Sequence, residues 1–265
     1  MGTAMHNPPC ILLIGGHDPS GGAGLQADIE TVFAHACRAT SLVTCLTAQD
    51  SHNVRALYPQ PLEHFQAECE ILLADIRPDM VKIGLLGDAR LAASLAGHLE
   101  QLGCPVVMDP VLAAGGGADL AAHDLLEVIR GRLLPLTTLL TPNRAEARRL
   151  GGVEDPGEAA QALLRAGCER VLLTGADEAD GGQVRNTLFG RTGREDYTWP
   201  RLPYSYHGSG CTLASSIAAL LAKGLTLEQA VLKGQKYTWN TLSFATAPGK
   251  GQSLPDRFFR YREKQ

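Results

Sequence analysis

Residues 207–211 read His-Gly-Ser-Gly-Cys and run straight into an apolar stretch, TLASSIAALLAKG, with the length and character of a buried helix. Gly208 and Gly210, on either side of Ser209, let successive backbone N–H groups converge. The first turn of a helix also has unpaired donors and a partial positive charge. Such a place can hold developing negative charge, as on a phosphoryl group in transfer. Cys211 stands in the same field, which predicts a lowered thiol pKa and thiolate character. A flexible N-cap followed by an inert cysteine would use the same residues, so the segment does not decide the matter alone.

A second glycine-rich segment, GGHDPSGGAG at 15–24, runs from an apolar run into a helical pattern. No Gly-Lys-Ser/Thr follows, so it is not a P-loop, and Ala27 stands where a dinucleotide fingerprint needs its third glycine. Its five glycines permit close backbone approach to a ligand, or merely a tight turn. Asn143 with Glu146, in TPNRAE, is spaced as a helix capping box and equally as a pair of metal-facing oxygens.

The elements that must position these residues alternate along the chain. Apolar runs at 11–16, 41–48, 81–86, 105–111, 137–143 and 170–176 predict strands. Helical patterns lie between them at 24–36, 64–76, 89–103, 121–134 and 158–167. Strands apolar throughout suit a parallel sheet covered on both faces, and the repetition predicts a three-layer, doubly wound α/β fold. VRNTLFG and REDYTWP, joined by RTG, predict an antiparallel hairpin at one sheet edge, with two long helices following at 211–223 and 227–244. No linker or repeat divides the sequence, which predicts one domain over 1–265. Polar and glycine-rich segments follow the strands, on the side where such sheets bind ligands.

Composition narrows the partners. The net charge of −4 offers no basic face to nucleic acid, and no apolar run reaches membrane-spanning length. The seven cysteines are scattered, odd in number and without a C-x-x-C pair, which argues against a disulfide framework or structural zinc. With no secretory pattern at the start, a cytoplasmic location is expected.

The glycine-rich entry loop, the TPN-x-x-E segment and the late GSGC helix, in this order, resemble the ribokinase-like superfamily. Most members carry Asp after the late Gly-x-Gly. Cysteine there is typical of hydroxymethylpyrimidine/phosphomethylpyrimidine kinases. DPSGGAGLQADIET, TCLTAQDS, VKIGLLG, MDPVLAAG, LLTPNRAEA and HGSGCTLASSIAA all look like that family, over residues 11–224. The resemblance implies ATP-dependent phosphorylation of 4-amino-5-hydroxymethyl-2-methylpyrimidine and of its monophosphate, toward thiamine. Its alternatives are a pyridoxal kinase of the cysteine-bearing branch and a non-catalytic pyrimidine-binding regulator.

Carried over by position, the resemblance makes Gly208, Ser209, Gly210 and Cys211 the anion hole, with Cys211 facing the substrate hydroxymethyl. Whether Cys211 removes the proton or only positions the hydroxyl stays open. Gln49 would hydrogen-bond the pyrimidine, its amide offering a donor and an acceptor. Asp28, the Gly16 backbone, Leu85 and Val111 would border the ring. Asp109, Asn143, Thr174 and Gly175 would face ATP, and Glu146 would hold Mg2+, through water. The implied partners are a small pyrimidine and ATP, without nucleic acid or membrane, and a homodimer is left open. Two departures stand out. Thr174-Gly175 replaces the Lys-Gly of many relatives, removing a cationic phosphate contact. Ala114-Gly115-Gly116-Gly117 replaces Lys-Ser-Gly, predicting a more mobile lid. The role of the basic tail over 257–264 is unread.

Overall fold

The computed structural model describes residues 7–113, 117, 120–176 and 182–262. Its strands are β1 (Cys10–His17), β2 (Arg38–Gln49), β3 (Val54–Pro59), β4 (Met80–Ile83), β5 (Val106–Met108), β6 (Leu139–Leu140), β7 (Val171–Leu173), β8 (Gln183–Gly190) and β9 (Gly193–Pro200). They form a single sheet in the order β3-β2-β1-β4-β5-β6-β7-β8-β9. From β2 to β7 every pairing is parallel, while β3 on one side and β8 and β9 on the other are antiparallel.

Side-chain alternation in β1 shows how both faces are covered. Ile11 and Leu13 join the core beneath α1 (Gly24–Ala34), α7 (Ser209–Ala222) and α8 (Leu227–Ser243). Leu12 and Ile14 join the other core, with α2 (Leu62–Asp75), α3 (Ala89–Leu102), α4 (His123–Val128), α5 (Arg144–Gly151) and α6 (Pro156–Arg165). The three layers and the edge hairpin agree with expectation. Its turn opposes Gly190 to Gly193.

β3 was not anticipated. VRALYP is a half-exposed edge strand, so it lacks the continuous apolar run that marked the buried strands. The single helix expected over 121–134 is broken: α4 ends at Val128, a π turn covers Ile129–Leu133, and a 3-10 turn with Pro135 follows. α5 and α6 are separate helices, because Gly152 closes the first in the left-handed region and Asp155 caps the second. Ala114, Gly115 and Gly116, the predicted lid, lie outside the described residues. Arg257, taken as the start of a basic tail, is buried, and the chain ends in the short α9 (Phe259–Arg262). Among the described residues no helix is long and apolar enough to cross a membrane.

Strand order reverses about β1, with β2 on one side and β4 on the other. That switch point opens a crevice at the carboxyl ends of the strands.

Candidate active site

A cavity of about 470 Å³ runs along this crevice, within the usual range for a small-molecule site. Its wall includes Gly16, Asp28, Gln49, Leu85, Asp109, Val111, Asn143, Glu146, Thr174 and the run Gly208–Cys211. These are the expected residues from seven separate segments. Gly175 is not on the wall: its N–H donates to Asn186 Oδ1 at 3.0 Å, and its Cα packs against the carbonyl of Arg185.

Near β1 and β2 the cavity is walled by Gly16, Thr47, Gln49 and Leu85. A Cβ on Gly16 would lie 2.9 Å from Cys45 Sγ and 3.1 Å from Leu85 Cδ2, so only glycine leaves the cavity its width there. The Gln49 amide lies 3.3 Å from His207 Nε2, which is itself 2.8 Å from Asp18 Oδ2. Burial opposes ionisation of Asp18. The bonds from His207, Ser20 and the Ala23 N–H outweigh it and hold the carboxyl well below the usual range. A carboxylate only accepts, so His207 Nε2 donates to it. With its one proton given to Asp18, His207 Nε2 has no lone pair to offer the Gln49 Nε2 beside it, which leaves the Gln49 NH2 for a ligand. Asp18 and His207 were not singled out from sequence, although both stand inside the motifs quoted.

At the middle of the crevice, α7 points its N-terminus at the end of β5. Gly208 is its N-cap, with φ of 80°. A Cβ there would sit 1.9 Å from the carbonyl oxygen of Gly22, so the left-handed conformation and the contact both demand glycine. Gly210 has ordinary helical backbone. Its significance is proximity, since a Cβ would lie 3.3 Å from Asp109 Oδ2.

Beneath this helix start lies a buried charge cluster. Lys82 Nζ donates to both oxygens of Asp28 at 2.8 Å, and Ser215 donates to Asp28 Oδ1 at 2.7 Å. Asp28, expected to border the ring, is thus engaged by protein groups, which leaves it little for a substrate. Burial alone would drive Lys82 toward neutrality, but Asp28, and after it Asp109, hold it charged. Burial lifts Asp109 to about 6; Lys82 opposes the rise and Asp28 adds to it. Burial likewise pushes the Cys211 thiol up to about 12, despite Lys82, with Asp28 and Asp109 adding to the rise. The thiolate expected from the helix field is therefore corrected to a neutral thiol in the neighbourhood of Asp109. The local dipole argument omitted two carboxylates and desolvation, which together are larger.

Across the sheet, Asn143 and Glu146 form the capping box: Glu146 N donates to Asn143 Oδ1 and Asn143 N to Glu146 Oε2, both at 2.9 Å. Glu146 Oε1 accepts from the Leu112 N–H at 3.5 Å, and the residue lines the cavity wall. Among the described residues no three His, Cys, Asp or Glu cluster as metal ligands. One carboxylate suits an ion bound mostly by phosphate and water. Beyond Thr174 the wall is Val184, Asn186, Trp199, Gln235, Trp239 and Leu242, an aromatic and amide recess none of whose residues was marked from sequence. Asn186 Nδ2 and Trp199 Nε1 both donate to Gln235 Oε1, at 2.8 and 3.0 Å. Arg201 lines this end, with Nη1 on the Ala176 carbonyl at 3.0 Å, where Thr174 supplies no cation.

A doubly wound sheet with ligand recesses on both sides of a glycine-led helix start defines a ribokinase-like small-molecule kinase. A solved pyridoxal kinase from Staphylococcus aureus, in complex with pyridoxal, superposes with a TM-score of 0.88 at 26% identity, covering 96% of this chain and 95% of that one. At the level of sequence, the family model described as phosphomethylpyrimidine kinase matches residues 18–256, and the chain belongs to that family. It is 36% identical to the hydroxymethylpyrimidine/phosphomethylpyrimidine kinase of Streptomyces coelicolor over 92% of each protein. It is 37% identical to the thiamine biosynthesis bifunctional protein of Geobacter sulfurreducens, of whose length it spans half.

Proposed function

We propose that the chain transfers the γ-phosphoryl group of ATP to the hydroxymethyl oxygen of 4-amino-5-hydroxymethyl-2-methylpyrimidine, and then to the phosphate of the monophosphate so formed. The observation that carries this reading is the position of the Gly208–Cys211 helix start. It stands between a recess beside Gln49 and an aromatic recess beside Trp199 and Trp239. A ring in the first recess, with Gln49 NH2 on a ring nitrogen, brings its CH2-OH to Cys211. The nucleotide then fills the other recess, with Arg201 in the place of the missing lysine charge.

The hydroxyl oxygen bonds to the γ-phosphorus as the bond to the β-bridging oxygen breaks, and the backbone donors of 208–211 meet the charge on the transferred group. Cys211 orients the hydroxyl, and Asp109 beside it takes the hydroxyl proton. Lys82, paired with Asp28, offsets the charge of the Asp109 carboxylate under this centre. Mg2+, when bound, would supply charge neutralisation on the phosphates. Asn143 and Glu146 are the residues to hold it, through water.

The test is ATP turnover with the hydroxymethylpyrimidine, its monophosphate and pyridoxal as acceptors. The reading requires the two pyrimidines to give the higher kcat/KM. Preference for pyridoxal would favour the reading suggested by the Staphylococcus superposition, and no turnover with any acceptor would favour a binding protein.

A further inference from the structure

We infer that Arg257, contributed by the C-terminal tail, is a positioning residue that shapes the anion hole without touching the ligand. Its guanidinium is 2% exposed and is absent from the cavity wall. Nη1 donates to the Gly21 carbonyl at 3.2 Å and to Glu30 Oε2 at 3.0 Å, and Nη2 donates to the Gly22 carbonyl. Nε donates to Thr212 Oγ1 at 3.1 Å.

Two arms from this one side chain converge on Gly208. The first runs through Gly22, whose carbonyl oxygen is pressed against the Gly208 Cα, where no Cβ fits. The second runs through Thr212, whose Oγ1 donates to the Gly208 carbonyl at 2.8 Å while accepting from Arg257. Gly208 in turn sets the direction in which the N–H groups of 209–211 point. A carbonyl facing a transferring phosphoryl group would repel it. Arg257 turns the Gly21 and Gly22 oxygens onto its own donors and compensates their partial charge. The planar fork meets four oxygens at once, which a point-charge ammonium cannot do. Tyr237 fixes the tail in place by donating to the Arg257 carbonyl at 2.9 Å.

This inference rests on the anion-hole reading, so the experiment carries Gly210→Val alongside as a control for that reading. Arg257→Met, of similar length and without donors, should lower kcat about 100-fold, the scale of a sub-ångström to 1 Å misplacement of a catalytic group. KM for the pyrimidine should hold, because Gly16, Leu85 and Gln49 belong to other elements. Arg257→Lys should fall between the two. Thr212→Val removes the second arm with little change of shape. It should lower kcat in the same sense and be less than additive with Arg257→Met. Added ethylguanidinium should restore part of kcat to Arg257→Ala. Wild-type kcat in folded Arg257→Met overturns the inference, as does loss of kcat and pyrimidine affinity together in proportion to melting temperature. If Arg257→Met does not fold, wild-type kcat in Thr212→Val overturns it. Should Gly210→Val retain turnover, the anion hole itself is wrong, and the failure lies there and not with Arg257.

Discussion

A thiol enclosed by two carboxylates and a lysine is a different reagent from one exposed at a helix end. Cys211 holds its proton to about 12, whereas Asp109 beside it titrates at about 6. At neutral pH the carboxylate is the only one of the two able to accept a proton. Asp109→Asn should therefore cost about 100- to 10,000-fold in kcat, the span of general-base contributions. Cys211→Ala, which removes only orientation, should cost about 10- to 100-fold on the same comparison. The wild-type profile of kcat/KM should fall as pH drops through about 6, where Asp109 gains its proton, and run flat above it. An acid limb that survives in Asp109→Asn would assign the titration to another group. Gln49 should show the opposite kinetic signature. Its NH2 serves the ring, so Gln49→Ala should raise KM for the pyrimidine by about 10-fold or more, from the 1–3 kcal/mol of an unmet buried donor or acceptor, and leave KM for ATP unchanged. Equal changes in both constants would move Gln49 away from the ring.

At the scale of the element, the start of α7 shows what local sequence can and cannot carry. That two glycines would open a helix onto a ligand cavity was legible from HGSGC, because it needs only helix-end electrostatics. The division of labour between them was not. Gly208 alone has the left-handed backbone, and it is fixed by Gly22, a residue far away in sequence. Gly210 is helical and is constrained by Asp109 at the end of β5. Hence Gly208→Ala should lower the melting temperature and turnover together, since a Cβ would lie 1.9 Å from a backbone oxygen that cannot rotate away. Gly210→Val should fold, bind the pyrimidine in calorimetry, and lose turnover as the Val side chain displaces Asp109. Stability loss in proportion to activity in Gly210→Val would reduce this helix start to a cap. The same limit explains β3 and the broken helix after Val128. VRALYP is held by backbone pairing to β2, not by an apolar run, and the π turn is set by packing of Ile129 and Leu133 into the core.

Across the whole molecule, the cavity wall around Gln49 and around the start of α7 was readable because its residues cluster in glycine-punctuated segments after buried strands. The aromatic recess was not, because its members sit in regular structure and meet only through the fold. Asn186 lies on β8, Trp199 on β9 and Gln235 on α8, and each is an ordinary strand or helix residue until the sheet edge brings α8 against it. The sheet order separates the two recesses physically. Residues 15–17, 47–49 and 84–85 belong to β1, β2 and the end of β4, while 174–176, 184–186 and 199 belong to β7, β8 and β9 on the far side of β5 and β6. Each ligand should therefore leave its own mark on amide hydrogen exchange, since binding to the native state suppresses the local openings that expose its contacts. The hydroxymethylpyrimidine alone should slow exchange at 15–17, 47–49 and 84–85, and a non-hydrolysable ATP analogue alone at 174–176, 184–186 and 235–242. Residues 208–211 line the same cavity between the two groups, so that segment should gain further protection with both ligands bound beyond what either gives. Protection of the far recess by the pyrimidine alone, or no added effect at 208–211, would show that the cavity is not divided in this way and that the phosphoryl group is passed elsewhere.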